Sequence, residues 1–128
     1  MPQNRQIVLG KSVGSVWLDE PRRTVEMAFG RGRSTRRGLV FYFDGRLRVD
    51  YWFHDQLTAH VEGLQTAWGG FHTRSGVHVG SSRRALAPLH VACLGNECSL
   101  AAGSKPDSPG TVFTLRSGKV ARIDIFYS

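Results

Sequence analysis

The clearest hydrophobic pattern in the chain is an alternation of period two between positions 46 and 54. Apolar residues occupy the odd positions, and charged, polar or aromatic residues occupy the even ones. That period predicts a strand whose odd-numbered side chains enter the core. Turn-forming residues at 44–45 and 54–56 separate this strand from its neighbours. The segment therefore predicts an antiparallel meander, with strands at 39–43, 46–53 and 57–65.

A stripe of helical spacing precedes this meander. Val25 and Phe29 lie four residues apart, so they would face the same side of a helix. Asp19 is a residue type that caps helix starts, and Gly30 is a type that ends helices. We therefore predict a helix over 20–29.

The second half of the chain carries a similar series of signals. A second helix is predicted over 81–91. Pro88 predicts that this helix is short or irregular, because a proline beyond the first turn breaks helical hydrogen bonding. A short strand is predicted near 98–101, and the final segment predicts a hairpin that turns at 117–118.

Two pairs of segments indicate an internal repeat. VWLDEPRRTVE at 16–26 aligns with VHVGSSRRALA at 77–87 under a shift of 61 residues. FHDQLTAHV at 53–61 aligns with LRSGKVARI at 115–123 under a shift of 62 residues. The apolar positions keep their phase in both hairpins, and a slip of one residue would exchange the two faces. Few residues are identical, so chance similarity is the alternative.

On the repeat we predict an α+β fold of two tandem helix-plus-antiparallel-meander units, at 1–66 and 67–128, in one compact domain. Neither unit can bury much apolar surface alone. We expect a largely antiparallel sheet with the helices packed on one face. The residues expected to face the helices are Leu47, Val49, Tyr51, Phe53, Ala59, Val61, Phe113, Leu115, Ala121, Ile123 and Ile125.

The opposite face of the predicted sheet is the candidate binding surface. Trp52 falls on the polar side of the alternation, where only a sheet that curls over it would bury it. Tryptophan, tyrosine and arginine contribute most at protein interfaces. We predict a non-catalytic module that binds a protein partner. The predicted partner-binding residues are Tyr42, Arg48, Asp50, Trp52, His54, His60, Arg116 and Arg122.

The tandem pattern resembles the beta-lactamase inhibitory protein fold and the small outer-membrane lipoproteins of the SmpA/OmlA type. The matching parts are the two helix starts and the two hairpins quoted above. GVHVGSS from Gly76, with a Cys pair nearby, also resembles secreted actinobacterial proteins of unknown function. The resemblance implies a partner held on the exposed sheet face. No residue here supports a beta-lactamase as that partner, and the family's inhibitors have longer units.

The charge balance adds a second kind of partner. The chain has 17 Lys and Arg residues against 10 Asp and Glu residues, a formal net charge of +7. The segment RGRSTRRG at 31–38 is the densest basic run and predicts an exposed loop. An anionic polymer such as nucleic acid, glycan or acidic lipid is therefore an alternative partner. Such a charge also simply keeps a protein soluble.

Two cysteines bear on the compartment. Cys93 and Cys98 stand in CLGNEC, whose Gly-Asn centre suits a tight loop closed by a disulfide. Free thiols, or a metal or redox site, are the alternatives; zinc would need two further ligands. A disulfide predicts a secreted or periplasmic mature domain, and free thiols predict a cytoplasmic one. We find no apolar run long enough to span a membrane and no apolar signal core near the start.

The histidines raise the question of catalysis. His54 and His60 flank one predicted turn, and with Asp50 or Glu62 they could form a metal site or an acid–base pair. The alternative is that both are exposed polar residues. The sequence contains no Walker, dinucleotide-binding or HExxH motif and no G-x-S-x-G motif. We therefore predict no cofactor and no metal, and a small enzyme of unknown reaction is the last alternative. The oligomeric state is left open.

Overall fold

Strands dominate the described part of the chain, which covers residues 1–36, 38–51, 58–101 and 109–127 of a computed structural model. An α-helix, α1 (Arg22–Phe29), and a 3-10 helix (Arg83–Leu89) accompany them. The predicted α+β class is therefore confirmed. The strands are β1 (Gln6–Val8), β2 (Ser12–Val13), β3 (Val16–Trp17), β4 (Arg33–Arg36), β5 (Leu39–Tyr42), β6 (Leu47–Asp50), β7 (Gly63–Thr66), β8 (His72–Thr73), β9 (Ala92–Leu94), β10 (Glu97–Ala101), β11 (Pro109–Arg116) and β12 (Lys119–Tyr127).

Eight strands form the main sheet, in the order β4-β5-β6-β7-β12-β11-β10-β9, and every neighbouring pair is antiparallel. The sheet consists of two four-stranded meanders whose last strands, β7 and β12, pair at the centre. α1 precedes the first meander, and the 3-10 helix precedes the second. The other four strands form a small sheet in the order β3-β2-β1-β8, in which β1 and β8 are parallel. The interpretation of the two meanders as a tandem repeat stays a prediction.

The starts of the two helical segments are held in the same way by the chain that enters β7 and β12. Three backbone hydrogen bonds hold each start. They correspond at a shift of 61 residues on the helix side and 59 on the strand side, so the predicted hairpin shift of 62 is wrong. The cause is length: 12 residues separate β6 from β7, whereas two separate β11 from β12. The bonds run from the amides of Asp19, Arg22 and Val61 to the carbonyls of Val61, Ala59 and Glu20, and from the amides of Gly80, Arg83 and Val120 to the carbonyls of Val120, Gly118 and Ser81.

The predicted first helix is confirmed, but its start is built differently. α1 begins at Arg22, and Pro21 precedes it without a side-chain cap. Gly30 follows the last turn and ends the helix, as predicted. Asp19 does not cap the helix, because its carboxylate instead accepts a hydrogen bond from the hydroxyl of Tyr127 on β12.

The second helical segment and the last hairpin follow their local signals. The segment is a 3-10 helix that contains Pro88, so the predicted irregularity is confirmed. β11 and β12 are joined by Ser117 and Gly118, whose φ angles are 53° and 76°. Positive φ at both central residues is the conformation of the type I′ turns that favour hairpins.

Several strand predictions need correction. The basic segment 31–38 contains an edge strand, β4, because its backbone pairs with β5. The strand predicted at 57–65 is β7, which begins only at Gly63. β9, which no pattern indicates, pairs with β10, the strand predicted near 98–101. The turn predicted at 54–56 lies outside the described residues.

The core lies on one face of the main sheet. Val25 of α1, Leu86 of the 3-10 helix and Ile7 of the small sheet belong to the same buried cluster as the sheet residues. Both helical segments and the small sheet therefore pack on this face, as expected for the helices. The predicted inward residues that are buried are Leu47, Val49, Tyr51, Val61, Phe113, Leu115, Ile123 and Ile125.

The remaining predicted core residues differ. Ala121 is only half-buried, because an irregularity in the register after Thr114 turns Val120 inward in its place. Such bulges insert an extra residue and shift the alternation of faces. Ala59 is also half-buried, and Phe53 lies outside the described residues.

Candidate binding face of the main sheet

The face of the main sheet opposite the core, called the open face below, carries a row of side chains across five strands. Strand pairing sets the order of this row, and the central members come from β6, β7 and β12. Side chains of directly opposite residues lie about 4.5–5.5 Å apart at Cβ. The row therefore forms a continuous strip. Its members are Phe41, Arg48, Gln65, Asp124 and Val112.

A network of charged hydrogen bonds lies at the centre of the open face. The guanidinium of Arg48 binds Asp50 in a bidentate manner, with Nε–Oδ1 at 2.7 Å and Nη2–Oδ2 at 2.8 Å. Gln65 Nε2 donates to Asp124 Oδ1 at 2.8 Å, and Arg122 Nε donates to Asp124 Oδ2 at 2.9 Å. We call these five residues the polar cluster. Two Arg–carboxylate pairs from different meanders thus stand side by side.

The polar cluster is only partly open to solvent. The side chain of Asp50 is 12% exposed and that of Arg122 is 46% exposed. Asp50 has room because Gly63 faces it; a Cβ at Gly63 would lie 3.3 Å from Asp50 Oδ2. Burial raises the pKa of Asp50, and the hydrogen bond from Arg48 opposes that rise. The hydrogen bond to Asp50 raises the pKa of Arg48, which therefore stays charged.

Half-buried apolar side chains flank the polar cluster. Phe41 and Val112 extend the row on either side of it, and Phe126 lies opposite Gly110 on the same face of β12. At the edge of the sheet the guanidinium of Arg33 stacks over the ring of Phe41, at 5.4 Å from its centroid. The open face thus combines aromatic surface, arginine and carboxylate. That composition is typical of the centre and rim of protein interfaces.

The structure brings together three of the predicted partner-binding residues: Arg48, Asp50 and Arg122. Arg116 is exposed at the end of β11, next to the hairpin turn and away from the polar cluster. His60 is exposed but lines a separate cleft described below. Trp52 and His54 lie outside the described residues.

Tyr42 is a wrong prediction. It is 3% exposed and shares the core face with Leu47, the residue directly opposite it on β6. The hydroxyl lies near that of buried Tyr51, and burial raises the pKa of both groups. The guanidinium of Arg22 lies over the Tyr51 ring at 4.8 Å. Tyr42 is therefore a core residue beneath α1.

The sequence predictions missed Gln65, Asp124, Phe41 and Phe126. A signal was present for two of them, because Asp124 and Phe126 alternate with the buried Ile123 and Ile125. Gln65 carries no such signal. Its position follows only from the pairing of β7 with β12, which joins residues far apart in the chain.

A separate cleft of about 430 Å³ lies beside the start of α1. Its lining side chains are those of Asp19, His60, Glu62 and Tyr127. The predicted pairing of His60 with Glu62 is thus placed in one cleft, while the contribution of His54 lies outside the described residues. Within the described ranges, no three His, Cys, Asp or Glu side chains stand close enough together to hold a metal ion.

The disulfide prediction is confirmed. Cys93 and Cys98 are bonded and lie directly opposite each other on β9 and β10, with their Cα atoms 4.0 Å apart. Cys98 is buried against the core, and Cys93 is exposed at the sheet edge. A disulfide fits an oxidising compartment. In the described residues no helix is long and apolar enough to cross a membrane.

Comparison with known proteins adds no family assignment. No protein-family model, curated protein or solved structure matches the chain. The resemblance to the beta-lactamase inhibitory protein fold therefore stays a prediction. What the open face can bind has to be inferred from its own side chains.

Proposed function

We propose that this protein is a non-catalytic binding module that holds a protein partner on the open face of the main sheet. One observation carries the proposal. Arg48 and Arg122 are each fixed by a carboxylate in a strip that also presents Phe41 and Phe126. Fixed arginines beside aromatic surface are the side chains that contribute most to protein interfaces.

The salt bridges favour binding because they order the donors in advance. A guanidinium has five N–H donors, and Arg48 uses two of them on Asp50. The other donors can meet acceptors of a partner. Fixing a long side chain on binding costs about 0.5–1.5 kcal/mol, so a side chain already held by a carboxylate loses less. Paired charges of both signs also suit a partner surface of mixed charge.

The same pairing argues against a polyanion on the open face. Asp50 and Asp124 would repel phosphate or sulfate groups that approach the two arginines. A second candidate surface for a polyanion is the edge strand β4, where Arg33 and Arg36 are exposed. Neighbouring Arg31 is exposed as well. An anionic polymer is therefore the alternative partner, and it would use the sheet edge.

The compartment proposed for this module is the cell exterior or the periplasm. The Cys93–Cys98 disulfide is the supporting observation. Structural disulfides persist in oxidising compartments and are rare in the cytosol. A partner should therefore be sought among proteins of those compartments.

The test is an affinity capture from the extracellular fraction of the source organism, washed at low and at high salt. Wild type is compared with Arg122→Glu on the open face. Arg84→Glu is the matched control, since Arg84 is exposed on the 3-10 helix, which packs on the core face. We expect one discrete protein that wild type and Arg84→Glu retain at high salt and that Arg122→Glu loses.

Two results would contradict the proposal. If both charge reversals weaken capture equally, the open face has no special role. If only nucleic acid or another anionic polymer is captured, is released by salt and depends on Arg33 and Arg36, the basic edge is the binding surface. Salt removes such polymers because their binding is driven by counterion release.

A further inference from the structure

An apolar groove of about 550 Å³ lies on the small sheet, apart from the open face of the main sheet. The ends of β1 and β8 and the last residue of the 3-10 helix, Leu89, line it. Sites for small ligands commonly have volumes of about 300–1,000 Å³ and mostly apolar linings. The groove therefore has the size and the surface of a ligand site.

The floor of the groove is continuous with the core. Ile7 is fully buried there, and Leu9 and Leu89 are half-buried and pack against the core cluster. Val8, also half-buried, completes the floor. An alkyl chain laid on these side chains would bury further apolar surface, at about 25 cal/mol per Å² removed from water.

The charged residues that line the groove are both cations, Lys11 and Arg74. The parallel pairing of β1 with β8 explains their placement. Gln6 lies opposite His72 and Ile7 lies opposite Thr73, so both strands end at the same edge of the small sheet. Lys11 follows β1 and Arg74 follows β8 at that edge, and both are exposed. No lining residue is acidic.

We propose that this groove binds a fatty acid, with the alkyl chain on the apolar floor and the carboxylate beside Lys11 and Arg74. The combination of one apolar trough and cations at one end recognises an amphiphile with an anionic head. A neutral or cationic head group would meet no partner there. This site uses none of the residues of the proposed protein-binding face, so the two proposals stand or fall separately.

The head group is tested by charge reversal. Dodecanoate and dodecylammonium are titrated separately into the protein, and binding is followed by NMR shifts of the Leu9 and Leu89 methyl groups. Wild type should bind dodecanoate in a saturable way and bind dodecylammonium more weakly. Lys11→Glu/Arg74→Glu should bind dodecanoate roughly tenfold more weakly and should now prefer dodecylammonium.

Two controls separate the site from general effects. Arg23→Glu/Arg84→Glu makes the same change in net charge on exposed helical residues and should leave both affinities unchanged. Leu89→Gln removes apolar floor and should weaken both ligands alike. Circular dichroism establishes that each variant is folded. Equal affinity of wild type for the two head groups, equal effects of the two double variants, or shifts that never saturate would each overturn the proposal.

Discussion

Gln65 and Asp124 lie directly opposite each other where the two meanders meet, and the amide of Gln65 donates to the carboxylate at 2.8 Å. An exchange of the two meanders at a shift of 59 residues turns this pair into itself. It also exchanges the two flanking pairs, so Gln65 and Asp124 occupy equivalent positions. Two identical carboxylates here would repel each other, whereas an amide and a carboxylate bind. The flanking pairs are Leu64–Ile125 and Thr66–Ile123.

Gln65→Glu should therefore destabilise the fold at neutral pH. The substitution replaces a donor to Asp124 with a second carboxylate at nearly the same position. We expect a loss of about 1–2 kcal/mol in the free energy of unfolding, because a hydrogen bond to a charged group is lost and like charges meet. Urea denaturation at pH 7 measures the loss. Adding Asp124→Asn to this variant should recover most of it, and a failure to recover would show that the two side chains do not interact.

The raised pKa of Asp50 predicts a pH dependence of stability with a definite sign. Burial lifts this pKa above its ordinary value of 3.8. The folded protein then holds the proton more tightly than the unfolded chain does. The associated stability is fully present below pH 3.8 and is lost as the pH rises through the folded pKa.

The comparison is with Asp50→Asn, which cannot titrate at this position. Relative to this variant, wild type should become less stable as the pH rises above 3.8 and should then level off. Urea unfolding across this range measures the difference, and carbon NMR of the Asp50 carboxyl measures the pKa directly. A difference that grows in favour of wild type with rising pH would mean that the ion pair with Arg48 outweighs burial.

Local signals predicted the parts of this fold that local physics decides. Gly30 ends α1, Pro88 distorts the second helix, and residues 117–118 form the last turn, because each depends on the backbone preferences of one or two residues. The alternation in β6 identified its inward side chains for the same reason. The α+β class follows from these elements.

Long-range pairing decided what the sequence did not reveal. The segment around Tyr42 is apolar on both faces, so alternation does not say which face is buried; pairing with Leu47 does. Gln65 joins the polar cluster only because β7 pairs with β12. The bulge that turns Val120 inward changes the phase within β12, and a constant shift between the hairpins cannot represent it.

The disulfide should stabilise the edge of the second meander to a modest extent. Cys93 and Cys98 are five residues apart, and closing so short a loop is expected to contribute about 2 kcal/mol. In the first meander Ser34 and Val40 form the pair between the edge strand and its neighbour. Cys93→Ser/Cys98→Val copies that pair and keeps an apolar side chain in the core. Urea unfolding of wild type should respond to a thiol reductant by about this amount, and the double variant should not respond; an unaffected wild type would contradict the prediction.

Two glycines of similar backbone conformation separate strain from steric conflict. Gly32 and Gly76 both have positive φ, at 67° and 91°. A Cβ at Gly32 would lie 2.7 Å from the Phe41 carbonyl oxygen and 2.7 Å from a Val40 methyl, whereas a Cβ at Gly76 would meet nothing within 4 Å. Gly76→Ala should therefore cost only the backbone term, about 1 kcal/mol.

Gly32→Ala should cost at least about 1 kcal/mol more than this, because the turn that leads into β4 has to move away from β5. The free energy of unfolding in urea gives both values under the same conditions. Since β4 is the strand that carries Arg33, Gly32→Ala should also shift the NMR signals of Arg33 and Phe41, and Gly76→Ala should not. Equal costs for the two substitutions would mean that β4 does not lie against β5 as described.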